Sequence, residues 1–280
     1  MILAFSTIAF PSAPLAQVLR LGQSWGYEGV ELRVVDGKLV DPGCSHAERA
    51  RTRAILEYSG MPVVCLDSSV RLADPVAAPQ LDALLVLASE WGAPLVRVFA
   101  GSFDGGPLEK EEAINAAGRV LRRAIPHAEQ LGVQIGVETH DAFSASKDLA
   151  ELLALIPSSW VGAVWDVLHP YRAGETVADM IQAIGRRVLL AQVKDARTDE
   201  RQRDGWRLAL MGEGEVPVHQ MLQALHAIGY TGAVSVEWEK FWHPDVEAAE
   251  IALPQHAAVI GEWLTELSSD CTPCADPPLR

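Results

Sequence analysis

One phrase recurs along the chain: an amphipathic helical stretch, a small residue or turn, then a short β-branched run. It reads LRLGQSWG then YEGVELR, RAILEYSG then MPVVCL, and LLVLASEWG then APLVRVFAG. It returns as RRAIPHAEQLG with VQIGVETHD, ELLALIPSS with WVGAVWD, MIQAIG with RRVLLAQVKD, and MLQALHAIG with YTGAVSVEWE. With the opening ILAFST, this predicts eight strands, each followed by a helical pattern. Strands alternating with helices argue for a parallel sheet with helical crossovers. Eight such units close into a (β/α)8 barrel, an architecture of ~250 residues, and the chain has 280. The rival is an open doubly wound sheet, but its Gly-rich phosphate loop is missing: the first strand runs into AFPSAPL, not GxGxxG. Gly26, Gly60, Gly92, Gly132, Gly185 and Gly229 stand where the helices must stop, which predicts left-handed C′ residues. The expected organisation is a single α/β domain, a (β/α)8 TIM barrel over residues 1–268, with a flexible tail over 269–280.

Composition narrows the function classes. Apolar residues make up 49%, enough for a full core, and the formal charge is -14. Duplex recognition needs a basic stripe, so nucleic acid is not an expected partner. The N-terminus has no basic region ahead of its apolar stretch, and no apolar run reaches the ~18 residues of a membrane span. Four cysteines, Cys44, Cys65, Cys271 and Cys274, do not make a disulfide framework, so a cytoplasmic, reduced protein is expected. The CTPC pair lacks both the thioredoxin-like setting and the further ligands that zinc requires.

In a parallel barrel every strand's C-terminus opens on one face, where the chemistry sits. The endings VELR, VETHD, WDVLH, QVKD and VEWE carry groups that are costly to bury unpaired. Glu138, Asp166, Gln192 and Glu237 come one each from strands five to eight. Alone, each carboxylate reads as a cap or a surface ion pair. Neighbouring strands lie ~4.8 Å apart, so four adjacent endings can converge on one ion. Three carboxylates and an amide form an all-oxygen set, suited to Mn²⁺ first, with Mg²⁺ or Co²⁺ as alternatives. The two-residue strand period sends Lys194 to the same side as Gln192, higher in the mouth, and turns Asp195 away. Arg97, inside an apolar strand, must pair with a carboxylate such as Glu138 or with a substrate oxygen. His140 follows Glu138 by two residues, on the same side, as a second acid/base or a rim histidine. Glu31 and Arg33 read as structural partners at the barrel floor or rim. Trp238, Trp242 and His243 wall the pocket or pack in the core. FAGSFDGGP, 99–107, reads as a phosphate-binding segment or a lid.

These strand endings carry a resemblance. The chain resembles the xylose-isomerase-like barrel superfamily of sugar-phosphate isomerases and epimerases, ketose 3-epimerases, inosose isomerases and dehydratases, and more distantly endonuclease IV. The match runs from ILAFST to EWLTEL. The fifth-strand glutamate of the family matches Glu138, the D-x-x-H pair matches Asp166 and His169, and the eighth-strand glutamate matches Glu237. The seventh-strand pattern, usually H-x-K-D, is QVKD here, with Gln192 in the histidine's place, as in 3-dehydroshikimate dehydratases of the superfamily. The resemblance implies one divalent metal on Glu138, Asp166, Gln192 and Glu237. It implies proton abstraction α to a metal-bound carbonyl by the two glutamates, through a cis-enediolate. His169 would then bond the substrate, with His140, Lys194 and Arg97 as further substrate contacts. A keto-sugar or keto-cyclitol isomerase or epimerase is the first reading, with a small-molecule substrate and a homodimer among the family's habits. A lyase or dehydratase of the same superfamily is the second. Multi-metal phosphodiester cleavage and a non-catalytic sugar-binding barrel are more distant alternatives.

Overall fold

The computed structural model describes residues 1–102, 108–202 and 204–269. Cys271, Cys274 and most of the expected tail lie outside the described residues, as does the GlyGly of the 99–107 segment. Eight parallel strands close into a barrel: β1 (Ile2–Ser6), β2 (Gly29–Leu32), β3 (Val63–Arg71), β4 (Leu95–Phe99), β5 (Gln134–Glu138), β6 (Val161–Asp166), β7 (Val188–Val193) and β8 (Ala233–Val236). Each is paired with its neighbours in sequence order, and β1 closes on β8. The helices of the outer layer include α1 (Leu15–Ser24), α2 (His46–Ser59), α3 (Ala77–Glu90), α4 (Lys110–Leu131), α5 (Ser146–Ala154), the short α6 (Leu168–Arg172), α7 (Val177–Ile184), α8 (Val218–Ala227) and α9 (Ala249–Ser269). Two small antiparallel hairpins extend from the mouth, Val34–Val35 with Lys38–Leu39 and Asp195–Thr198 with Trp206–Ala209. No helix among the described residues is long and apolar enough to cross a membrane.

The strands are built in two alternating faces. Outward residues such as Phe5, Val30, Val98, Val137, Trp165 and Val236 belong to the main core under the helices. Inward, Ala4, Cys65, Leu95, Val164, Leu190 and Ala233 form a separate apolar cluster at the bottom of the barrel. Gly136 fills the same layer because nothing larger fits: a Cβ there would meet Val164 Cγ2 at 2.5 Å. Two residues further along the eight strands stand Ser6, Glu31, Asp67, Arg97, Glu138, Asp166, Gln192 and Ser235. All are polar, and none is more than 2% exposed. This ring climbs rather than lying flat, because Glu31 pairs in register with Cys65, Arg97 with Gly136, and Ser235 with Ala4. Such a stagger is what a tilted barrel requires.

The helix stops follow the sequence with one exception. Gly60 and Gly132 take φ of 66° and 67° directly after α2 and α4. Gly185 instead has φ -50° and leads into a 3-10 turn, Gly185–Arg187, so the left-handed stop expected there is not used.

His256 of α9 is fully buried, edge-on to Trp238 at 5.1 Å, and burial pushes its imidazole down to about 4. The unfolded chain takes this proton near 6.5 and the folded chain only near 4. Between those values the unfolded state binds more protons, so stability falls as pH drops. The full effect is on the order of 3 kcal/mol for this one group. Urea titrations at pH 6.5 and pH 4 are expected to show a smaller loss for His256→Leu than for the wild type. Equal losses would mean that His256 is protonated in the folded protein.

Candidate active site

A ring of buried polar groups must satisfy itself internally. Arg97 sits between two acids: Nε lies 2.8 Å from Glu138 Oε2, and Nη2 lies 3.1 Å from Asp67 Oδ2. Its Nη1 donates to the Ser68 carbonyl at 2.7 Å, and its Cζ lies 4.4 Å from the Phe99 ring centroid. Across the barrel, Gln192 Nε2 donates to Glu31 Oε1 at 3.0 Å, while Gln192 Oε1 has no hydrogen-bond partner among the described residues. Above the ring, Lys194 Nζ lies 2.7 Å from Asp166 Oδ2 and also bonds Glu237 Oε2 and Glu239 Oε1. His169 Nε2 approaches Asp166 Oδ2 at 3.3 Å, and its ring meets His140 edge-on at 4.5 Å. His140 Nδ1 lies 3.0 Å from Asp141 Oδ1, which ties it to the rim.

Electrostatics at this mouth are strongly one-sided. Six carboxylates (Glu31, Asp67, Glu138, Asp166, Glu237 and Glu239) gather with three permanent cations, Arg33, Arg97 and Lys194. Burial, with the neighbouring carboxylates, pushes Glu237 up to about 8 despite Lys194. Burial likewise raises Glu31, helped by Asp67, and raises Glu138 against the pull of Arg97. For Asp166 burial is outweighed by Lys194 and His169, so its carboxyl stays below the usual range. Burial holds His169 down to about 4, so it is neutral near pH 7. His140 moves the other way: its bond to Asp141 and the charge of Glu138 outweigh burial and raise it.

Three groups of side chains bring ligand-type atoms within 4.8 Å of one another: Asp166 with Glu237 and Glu239, Glu138 with His140 and His169, and Glu31 with Asp67 and Glu237. All four residues read from the strand endings are buried, but none of these groups holds Glu138 together with Asp166 or Glu237. Asp166 and Glu237 meet across Lys194, Glu138 stands beside the two histidines, and Gln192 adjoins Glu31. Arg97 is engaged by protein groups. Lys194 stands on the same side as Gln192, as expected, and its ammonium is engaged by Asp166, Glu237 and Glu239. Glu31 is part of the buried ring, not a rim or floor partner. Asp67 and Glu239 are the additions. The two-residue period offers a signal for both: Asp67 is the next inward residue after Cys65, and Glu239 the next after Glu237. Asp195 does turn away, accepting backbone N–H bonds from Ala196, Gly212, Gly214 and Val216, which anchors that turn.

Of the aromatic candidates, Trp238 belongs to the core. It is fully buried, and its Nε1–H donates to the Glu247 carbonyl at 2.9 Å. Trp242 is exposed, and His243 Nε2 lies 3.3 Å from Glu239 Oε2. The hairpin after β7 closes one side of the mouth. Its Ala196, Trp206 and Leu208 line a cavity of about 30 Å³ together with His169, Glu239 and His243. A larger groove of about 750 Å³ lies apart, between the hairpin after β2 and α2, and none of the ring residues lines it.

Residues 19–258 match the family model of the xylose isomerase-like TIM barrel. The chain belongs to this family. Among solved structures, this xylose isomerase-like barrel is similar to the IOLI protein with a bound zinc atom, at 18% identity and a TM-score of 0.76, over 98% of this chain and 100% of that one. It is similar to the probable 3-DHS dehydratase AsbF from Bacillus anthracis, at 16% identity and a TM-score of 0.73, over 93% and 99% of the two chains. It is also similar to the 3-keto-D-glucoside 4-epimerase YcjR from E. coli, at 16% identity and a TM-score of 0.72, over 95% and 99%. No curated protein sequence matches the chain. At these identities the structural likeness establishes the fold.

Proposed function

We propose that this protein is a divalent-metal-dependent isomerase or epimerase of a keto-sugar or keto-cyclitol. The observation that carries the reading is the excess of buried carboxylates over cations in the barrel mouth, together with Gln192 Oε1, a buried acceptor with no hydrogen-bond partner among the described residues. An oxygen-rich set of carboxyl and amide groups of this kind fits a hard divalent ion, Mn²⁺ in the first place. Glu138, Asp166, Gln192 and Glu237 would hold it. Bound there, the ion would supply the Lewis acidity that makes a proton α to a carbonyl removable.

The chain's own residues supply the rest. Glu138 ends β5 and Glu237 follows β8, with β6 and β7 between them, so one carboxylate can take a proton and the other return it. Arg97 fixes the orientation of Glu138 through the 2.8 Å contact. In the metal-free protein burial raises Glu237 to about 8, and a bound divalent ion would draw it back toward the ionised form. Neutral His169 offers a hydrogen bond to a substrate hydroxyl without adding charge. Lys194 presents a positive charge to the oxygen that gains negative charge.

A second reading, a lyase of the same family, has its own support. His140, held protonated to higher pH by Asp141 and Glu138, lies against His169 and offers a separate acid for a departing β-hydroxyl. The test is a panel of ketoses, keto-cyclitols and 3-keto-glycosides incubated with Mn²⁺-loaded protein in D₂O. Isomerase or epimerase action is expected to give a product of unchanged composition carrying solvent deuterium at the α-carbon. Loss of water would assign the lyase. Binding without exchange on any compound would contradict both.

A further inference from the structure

Lys194 is 1% exposed, and its Nζ joins Asp166 of β6 to Glu237 just beyond β8. These are two of the four groups that the proposed function assigns to the metal, and the inference rests on that proposal. An ammonium and a divalent ion compete for these two oxygens, since their charges repel strongly in a poorly solvated site. The third partner differs. Glu239 stands two residues beyond Glu237, outside the proposed ligand set, and its other oxygen is held by His243 at 3.3 Å. It offers Nζ a place to remain when the inner oxygens are taken.

We infer that Lys194 is a resident counter-ion that occupies the cation position of the metal-free protein and withdraws toward Glu239 when a divalent ion binds. The ammonium thereby stabilises the empty site and weakens the metal affinity. Glu239 acts on that affinity through Lys194 and is a positioning residue.

The test titrates Mn²⁺ by calorimetry into chelator-treated wild type, Lys194→Met, Glu239→Gln and the double variant, with thermal melts of each metal-free protein. Lys194→Met is expected to bind Mn²⁺ about tenfold more tightly or better, because the competing positive charge is gone. Its metal-free form should melt lower, and Mn²⁺ should restore it. Glu239→Gln alone is expected to weaken binding, because Nζ loses its outer partner. In the Lys194→Met background the same change should have no effect, which separates positioning from direct ligation. Unchanged or weaker binding by Lys194→Met would overturn the inference, and so would an equal effect of Glu239→Gln in both backgrounds. If Lys194→Met does not fold without metal, Lys194→Gln supplies the same comparison. Uptake of Mn²⁺ by no variant would overturn the metal site itself, whereas uptake indifferent to Lys194 would overturn only its role as counter-ion.

Discussion

Glu138→Gln is expected to lower turnover by about 10³-fold while the barrel stays folded. The substitution keeps the shape of the side chain and removes its capacity to accept a proton. Arg97 is not stranded by the change, because it keeps Asp67 at 3.1 Å and the Ser68 carbonyl at 2.7 Å. The melting temperature should therefore move little. The readout is deuterium wash-in and kcat on whichever substrate the D₂O panel identifies, with circular dichroism as the control for folding. A variant that retains turnover within about tenfold would remove Glu138 from the proton path, since positioned acids and bases contribute at least ~10²-fold.

The largest effect on stability is expected at Arg97. Its guanidinium is 2% exposed and serves two buried acids at once. Arg97→Met leaves Asp67 and Glu138 without their cation, and breaking a buried pair by removing one partner costs about 3–5 kcal/mol. For a chain of this size that corresponds to a fall of roughly 10 °C in the melting temperature. The double variant Arg97→Met with Asp67→Asn should recover part of the loss, because one stranded charge is then gone. A fall of only a degree or two for the single variant would mean that water reaches both carboxylates.

The repeat of helix, turn and β-branched run makes the barrel legible in the sequence, because period and punctuation are local. All eight strands lie where that pattern puts them, and β3 differs only in running on to Arg71. That extension hides Asp67 as a ring residue, because the apolar run MPVVCL stops at Leu66. The buried ring is half visible. Charged strand endings on β5 to β8 announce themselves, whereas Glu31 looks like a rim residue because its partner, Gln192, lies 161 positions away. Contacts of that kind are created by barrel closure and leave no periodic trace. The two-residue period places Lys194 on the correct face, but only the assembled mouth shows it surrounded by Asp166, Glu237 and Glu239. Gly185 shows the converse limit: a glycine at the right spacing that adopts an ordinary helical conformation. Trp238 shows the ambiguity of tryptophan near a strand end, since its alternation with Glu237 points it into the helix layer.

Glu138, Asp166, Gln192 and Glu237 are proposed to form a mononuclear divalent site. Elemental analysis of protein stripped with chelator and reloaded with Mn²⁺, for wild type and Glu237→Gln, tests it directly. About one ion per wild-type chain and clearly less in the variant is the predicted result. No retained ion in the wild type, or the same content in both proteins, would contradict it.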